Sequence, residues 1–199
     1  QGAAATLRRQ PDEVIERALA AVEALRTAVD RADAGGRPLF AANRSLARPA
    51  DPVAALWQLC TDLREHRGDG HVAALVAAGV DGLAAHVLIA LDGGATPDDL
   101  QRTRGWTDAD WHAASERCRD RDWIDEHGAL TVAGRRLRAD VEATTDALAE
   151  RPFRDLSDRA RRDLLDALAP LARGVAASGV IRYPNPIGLP SLAESTDAG

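Results

Sequence analysis

The sequence predicts a mainly α-helical protein with one short β-hairpin, and three observations lead to this prediction. Apolar residues recur at helical spacing in most segments, as Ile15, Leu19 and Val22 do near the start. Aromatic residues make up only 4% of the chain, and alanine is abundant, which favours closely packed helices over a β-sandwich. The clearest strand pattern flanks the turn at residues 125–128. A chain of 199 residues can build one good core, or a core with appended arms.

Charge and cysteine content limit the classes of function that the protein can have. The net charge of −6 at pH 7 argues against a large phosphate-binding surface, although it is compatible with a local basic patch. Cys60 and Cys118 both fall inside predicted helices, so we expect core thiols in a cytoplasmic protein. Apolar runs are too short to span a bilayer as a helix.

The first part of the chain is predicted to form helices around one irregular segment. Pro11, followed by two acidic residues, begins a long one-sided helix that ends near residue 34. Residues 37–50 are expected to be irregular. Asp51 and Pro52 begin the next helix. The charged segment 63–71 closes that helix, and a further helix follows to residue 78.

Capping signals place the elements that follow. Asp81 is expected to cap a helix that ends at Leu91, and Thr96 begins a short helix that ends at Gly105. Thr107 and Asp110 form a capping-box pattern for a longer helix. The remaining elements are a hairpin around residues 125–128, a long helix over 132–150, Pro152, a helix over 157–177, and a proline-rich arm.

This order of elements resembles a winged helix-turn-helix protein. The stretch Asp122 to Leu137 resembles the hairpin and wing of the MarR group of regulators, in which a Leu-Thr-x-x-Gly-Arg stretch leads into a long dimerisation helix. The matching residues are Leu130, Thr131, Gly134 and Arg135. The resemblance implies a mainly α, winged helix-turn-helix fold, with a short β-hairpin wing, N-terminal helices and a long C-terminal helix pair. It also implies a dimeric, DNA-binding transcription regulator.

The whole chain also resembles a little-characterised bacterial helix-turn-helix family. The shared marks are the stretch 37–43, the charged segment 63–71, Arg104-Gly105-Trp106 and Pro184-Asn185-Pro186. Members of that family carry a further N-terminal segment that is absent here. We therefore expect either a homodimer or a partner chain that supplies this segment, and no membrane association.

The helix predicted to enter the major groove carries little positive charge. Between Thr107 and Asp122, five acidic residues face three arginines, which gives −2, and the wing at 126–128 lacks a basic tip. Arg135 adds positive charge close to the wing. The candidate DNA-binding residues are Thr107, Trp111, His112, Ser115, Arg119 and Arg135.

The densest chemistry lies in the segment Arg64-Glu65-His66-Arg67-Gly68-Asp69-Gly70-His71, and three interpretations remain open. In a structural one, Asp69 caps the following helix and accepts from Arg67, while a histidine satisfies buried carbonyls. In a second, an arginine holds a carboxylate or phosphate beside an aromatic wall. In a third, the histidines and the aspartate act in catalysis or bind a metal. The candidate ligand-binding residues are Arg64, His66, Arg67, Asp69, His71, Trp57 and Phe40.

These patterns divide the chain into four regions and favour one function. The regions are an N-terminal helix and loop (1–50), a helical ligand or hinge region (51–82), the winged helix-turn-helix with the C-terminal helices (83–178), and an arm with a disordered tail (179–199). We expect a ligand-responsive regulator or small-molecule-binding protein. The alternative is an enzyme or sequestration protein that uses the same scaffold without DNA. No catalytic or metal residue is assigned, and the cofactor is unknown.

Overall fold

Helices form nearly all of the regular secondary structure in residues 2–181, which are the residues that the structure, a computed structural model, describes. The prediction of a mainly α-helical chain is therefore confirmed. The helices are α1 (Gly2–Leu7), α2 (Asp12–Leu19), α3 (Val22–Arg31), α4 (Pro38–Arg44), α5 (Pro52–Ala77), α6 (Gly82–Leu91), α7 (Pro97–Arg104), α8 (Asp108–Asp120), α9 (Val132–Glu150) and α10 (Asp158–Ala177).

The described chain divides into two units. We call residues 2–70 with 145–181 the terminal unit, and residues 71–144 the central unit. The unit boundaries fall inside α5 and inside α9, so each of these helices contributes to both units. The predicted arm and tail lie outside the described residues from position 182 onward.

The core of the terminal unit is built from the apolar faces of its helices. Phe40 and Leu59 are completely buried, and Leu25, Val29 and Leu56 pack with them. Helix α10 packs against α2 and α1, and α3 contacts the 3-10 turn at Arg151–Phe153. Burial of apolar surface on this scale is the main source of stability for a helical unit of this size.

Two predictions about the N-terminal region were wrong. The single long helix predicted after Pro11 is broken into α2 and α3. At the break, the N–H of Ala21 donates to the carbonyl of Ala18, which is the i→i−3 hydrogen bond of a 3-10 turn. Residues 37–50 are not fully irregular, since they contain α4. Pro38 at the first position of α4 is well suited to begin a helix there.

The charged segment does not end a helix, and this prediction was also wrong. Helix α5 continues from Pro52 to Ala77 through both glycines. Its buried face follows helical spacing through Leu59, Asp62, His66 and Asp69. Because this face packs against the rest of the terminal unit, tertiary contacts outweigh the weak helix propensity of Gly68 and Gly70.

The central unit contains the segment predicted to form a helix–turn–helix. Helix α6 packs against α7 and α8, around a core that includes Val87, Leu88, Ala114 and Cys118. The Asp81 cap of α6, the Thr96 cap of α7 and the Thr107 capping box of α8 are all confirmed. Gly105 ends α7 in the left-handed conformation, at φ +75°.

The predicted hairpin is present only as a minimal turn. Within residues 2–181 no strand forms, and Ile124 and Leu130 make an isolated antiparallel bridge. The carboxylate of Asp125 accepts hydrogen bonds from the N–H groups of His127 and Ala129, at 3.0 and 2.8 Å. Helix α9 has the bounds that the sequence predicts, and α10 begins one residue later than predicted, because Ser157 is its N-cap.

No single helix among the described residues has the length and apolar character needed to cross a membrane. Only α5 and α6 taken together reach that length and composition, and they are bent by 96°.

Candidate functional site

The best-defined polar cluster lies in the terminal unit, where helix α5 receives the side chain of Arg37. We call Arg37, His66 and Asp69 the Arg37 cluster; all three side chains are buried. The guanidinium of Arg37 donates to the backbone carbonyl of His66. The carboxylate of Asp69 accepts the N–H of Phe40 at 2.9 Å. Asp69 therefore caps the first turn of α4, rather than the helix that follows it in sequence.

Gly70 makes room for this arrangement. A Cβ atom at this position would lie 2.8 Å from Nη1 of Arg37 and 3.4 Å from the Cβ of Leu148. At Gly68, in contrast, the nearest atom would be Oε2 of Glu65, a flexible side chain of the same helix, 3.9 Å away. Only one of the two glycines in the charged segment is thus required by packing.

The electrostatics of the Arg37 cluster favour an uncharged imidazole. Burial, together with the positive charge of Arg37, lowers the pKa of His66 to about 4. Burial also lowers the pKa of Arg37, while the carboxylates of Asp69 and Asp33 raise it. The ring of His66 packs edge-on against Phe40, with centroids 5.1 Å apart. These contacts fit the structural interpretation of the segment.

A second buried carboxylate was missed by sequence reasoning. Asp62 is 1% exposed and accepts a hydrogen bond from Nε2 of Gln58 at 2.9 Å. Nη1 of Arg48 lies 3.7 Å from its other oxygen. Burial raises the pKa of Asp62. The available signal was its spacing, because Asp62 falls on the same helical face as Leu59 and His66.

The other residues predicted to bind a ligand lie at or near the surface. Arg64 is paired with the carboxylate of Glu65, and Arg67 lies 3.2 Å from Asp146. Trp57 is 45% exposed, and His71 is half-buried. The structure therefore brings Phe40, His66 and Asp69 together, and it leaves Trp57, Arg64 and Arg67 outside that cluster.

The turn between α7 and α8 is tied to α6. Nε1 of Trp106 donates a hydrogen bond to Nδ1 of His86 at 3.0 Å. The bond requires a lone pair on Nδ1, so the neutral ring carries its proton on Nε2. Burial lowers the pKa of His86, and the positive charge of Arg104 adds to this effect. The residue that directly precedes the N-cap of α8 is thus bonded to α6.

The residues predicted to contact DNA do not share one environment. His112 is exposed, with Nε2 4.0 Å from Glu116, and Arg119 also pairs with Glu116. Arg135 donates to the backbone carbonyl of Leu130. Thr107 serves in the capping box, while Trp111 and Ser115 are half-buried.

The central unit has few positively charged side chains, and many of them already have ion-pair or hydrogen-bond partners. Residues 71–144 contain eight arginines against thirteen aspartates and glutamates, a net charge of −5. Arg117 pairs with Asp81 at 3.1 Å and Arg138 with Asp92 at 2.9 Å. Arg121 donates to the carbonyl of Gly79. A phosphate backbone would have to displace such partners.

A small cavity lies in the central unit against α8. Its volume is about 110 Å³. Its walls come from α6, the first residue of α7, α8 and the minimal turn, and the lining residues are Val87, Ala90, Leu91, Pro97, Trp111, Ser115, Arg119, Ile124 and Gly128. Two of the candidate DNA-binding residues, Trp111 and Ser115, therefore line this cavity.

Metal binding finds no support among residues 2–181, where no three His, Cys, Asp or Glu side chains are grouped to hold an ion. His66 and Asp69 lie on one face of α5, but both are committed to the core.

Two capped helices joined by a glycine turn, with a third helix packed on both, define a helix-turn-helix protein. The comparison with known families agrees with this class. The chain belongs to a helix-turn-helix family, whose model matches residues 1–182. No curated protein and no solved structure matches the chain.

Proposed function

We propose that this protein is a ligand-responsive transcription regulator of the MarR-like type, built on a winged helix-turn-helix scaffold. The observation that carries the proposal is the turn at Gly105, where two capped helices meet and Trp106 is anchored to His86. Family membership supports DNA binding as the general role. The minimal turn at 125–128 followed by the long helix α9 supports the winged type.

DNA binding on this scaffold uses α8 and the start of α9. His112 is exposed on α8. Arg119 lies in the last turn of α8, and Arg135 lies in the first turn of α9. Their present partners are a surface carboxylate and a backbone carbonyl. Surface ion pairs contribute about 0 to 1 kcal/mol each, so exchanging such a partner for a phosphate costs little. Thr107 supports this surface by capping α8.

Ligand responsiveness rests on the cavity beside α8. A molecule bound there contacts Trp111 and Ser115 on the helix that would enter the groove. We assign the Arg37 cluster a bracing role, because its groups already bond to other parts of the terminal unit. In this proposal the remaining candidate ligand-binding residues affect the ligand indirectly, either at the protein surface or by supporting the Arg37 cluster. They are Trp57, Arg64, Arg67 and His71.

The second candidate is a small-molecule-binding or catalytic protein on the same scaffold that does not touch DNA. The charge of the central unit favours it, since a surplus of five negative charges repels a phosphate backbone. The acidic residues of α8 lie where phosphates would approach, at Asp108, Asp110, Glu116 and Asp120.

Salt-titrated binding to random duplex DNA separates the two candidates. A regulator that neutralises three or more phosphates gives a slope of log K against log salt of about −3 or steeper. Arg135→Gln makes that slope shallower by about 1, whereas the control Arg64→Gln in the terminal unit leaves it unchanged. A slope near zero for the unmodified protein rejects the regulator and supports the second candidate.

We further propose that the working form is a homodimer, because paired half-sites are the usual geometry of helix-turn-helix regulators. One chain has a mass of 21.1 kDa. If the protein is a homodimer, light scattering on the purified chain gives twice that mass. A chain that associates only with a second polypeptide supports a partner chain instead.

A further inference from the structure

The cavity beside α8 has the size of a single small ring. Its volume is about 110 Å³, somewhat less than the engineered cavity of about 150 Å³ that binds benzene in another protein. Val87, Leu91 and Ile124 give it apolar walls, and it is partly open to solvent. Because the cavity is partly open, an occupant of about six or seven non-hydrogen atoms with a mainly apolar body can extend beyond its walls.

Two polar groups stand among these walls. The hydroxyl of Ser115 donates to the carbonyl of Trp111 at 2.9 Å, so its oxygen presents lone pairs to an occupant. Arg119 bonds to Glu116 through Nη1. Its other N–H groups make no hydrogen bond within the described part of the chain, and they remain donors. The site thus offers a strong donor to one oxygen atom of an occupant.

Charge at the rim selects against ions. Glu116 already neutralises Arg119, so a carboxylate would meet a second carboxylate inside a unit of net charge −5. A cation would face the guanidinium and lose its hydration against apolar walls. An uncharged oxygen avoids both penalties, and it still accepts a charge-assisted hydrogen bond.

We propose that the central unit binds a small uncharged molecule, an apolar ring or branched chain carrying one carbonyl or hydroxyl oxygen, in the cavity between α6, α8 and the turn at 125–128. This inference rests on the proposed ligand-responsive function and names its ligand class. The occupant contacts α6 through Val87 and α8 through Trp111. Its binding is therefore linked to the packing of α8 on α6.

Cyclohexanone is the probe, titrated into the full chain while the indole N–H of Trp111 is followed by NMR. We expect a saturable shift, with affinity about tenfold or more above that of cyclohexanecarboxylate or cyclohexylammonium. Arg119→Leu weakens cyclohexanone binding about tenfold, because a hydrogen bond from a charged donor is lost. Ala90→Leu fills the cavity and abolishes binding. The control Ala113→Leu, on the exposed side of α8, leaves it unchanged.

Absence of a saturable shift overturns the proposal, and so does full binding by a folded Ala90→Leu variant. Tighter binding of either ion overturns the assigned ligand class. If circular dichroism shows that Ala90→Leu is unfolded, Ser115→Val fills the same space from α8 and is judged by the same criterion. The titration contains no DNA, so its failure is distinct from a failure to bind DNA.

Discussion

The two units of this chain place their charged side chains in opposite ways. The terminal unit is balanced, with sixteen arginines and sixteen aspartates and glutamates in residues 1–70 and 145–181. The central unit has a net charge of −5 over residues 71–144. Every buried polar side chain among the described residues belongs to the terminal unit, namely Arg37, Asp62, His66, Asp69 and Thr145.

The contrast between the units distinguishes charged groups that stabilise the fold from charged groups that a binding partner can reach. A buried charge is tolerated only when its hydrogen-bonding partners are in place, so the Arg37 cluster holds α4 and α5 together. In the central unit, the charged groups remain near water and can exchange partners. A dense charged motif in a sequence is therefore not by itself a sign of a ligand site.

The largest expected effect tests the packing of the central unit. A Cβ atom at Gly134 would lie 2.2 Å from the carbonyl oxygen of Trp123, which is backbone and cannot rotate away. We expect Gly134→Ala to destabilise the protein by more than about 3 kcal/mol. Urea unfolding followed by tryptophan fluorescence measures the loss, and a change below about 1 kcal/mol contradicts the close contact.

The next effect tests the brace of the terminal unit. Asp69→Ala leaves the N–H of Phe40 without its acceptor and removes a counter-charge from Arg37. A loss of about 3 kcal/mol in the free energy of unfolding is expected. Asp146→Ala is the matched control, because that exposed carboxylate pairs only at the surface with Arg67; its loss stays below about 1 kcal/mol. Equal losses in the two variants argue against a buried brace.

A pH titration of stability tests the protonation state of His66. Its folded pKa of about 4 lies below the usual histidine pKa of 6.5, so the unfolded chain binds the proton more tightly. This group's contribution is fully present above pH 6.5 and is lost as the pH falls towards 4. We expect it to amount to about 2 to 3 kcal/mol. His66→Leu removes this part of the pH dependence, whereas the exposed His112→Gln retains it. Identical pH profiles for His66→Leu and the unmodified protein count against the assignment.

The smallest effect has the opposite sign. Gly68 lies within α5 with ordinary space around it, so Gly68→Ala is expected to stabilise the protein by about 0.5 to 1 kcal/mol. Gly70→Ala, two residues away, is destabilising because its Cβ atom meets Arg37. Thermal unfolding of the two variants, compared side by side, detects the difference in sign.

Local signals were predictable from the sequence, and long-range ones were not. The caps at Asp81, Thr96 and Thr107 and the turn at Gly105 are read within a few residues, and each is found where expected. The bond from Arg37 to the carbonyl of His66 in α5 joins residues 29 positions apart in sequence. No residue near Gly68 or Gly70 in the sequence predicts that contact.

The candidate site was predictable only in part. Phe40, His66 and Asp69 were singled out and do lie together, but their partner Arg37 was noted only as a family mark, and Asp62 was missed. The cavity beside α8 could not be predicted, because it depends on how α6, α8 and a minimal turn pack. Ser115 gave no sequence signal that it faces inward.

One paired measurement tests the contrast between the units most directly: unfolding stability and cyclohexanone binding, determined on the same samples of His66→Leu and Ala90→Leu. We predict that His66→Leu alters stability and its pH dependence but keeps probe affinity within about twofold. Ala90→Leu is predicted to lose binding while it remains folded. Loss of probe binding in a folded His66→Leu protein, with binding intact in Ala90→Leu, would show that the ligand chemistry lies in the terminal unit instead.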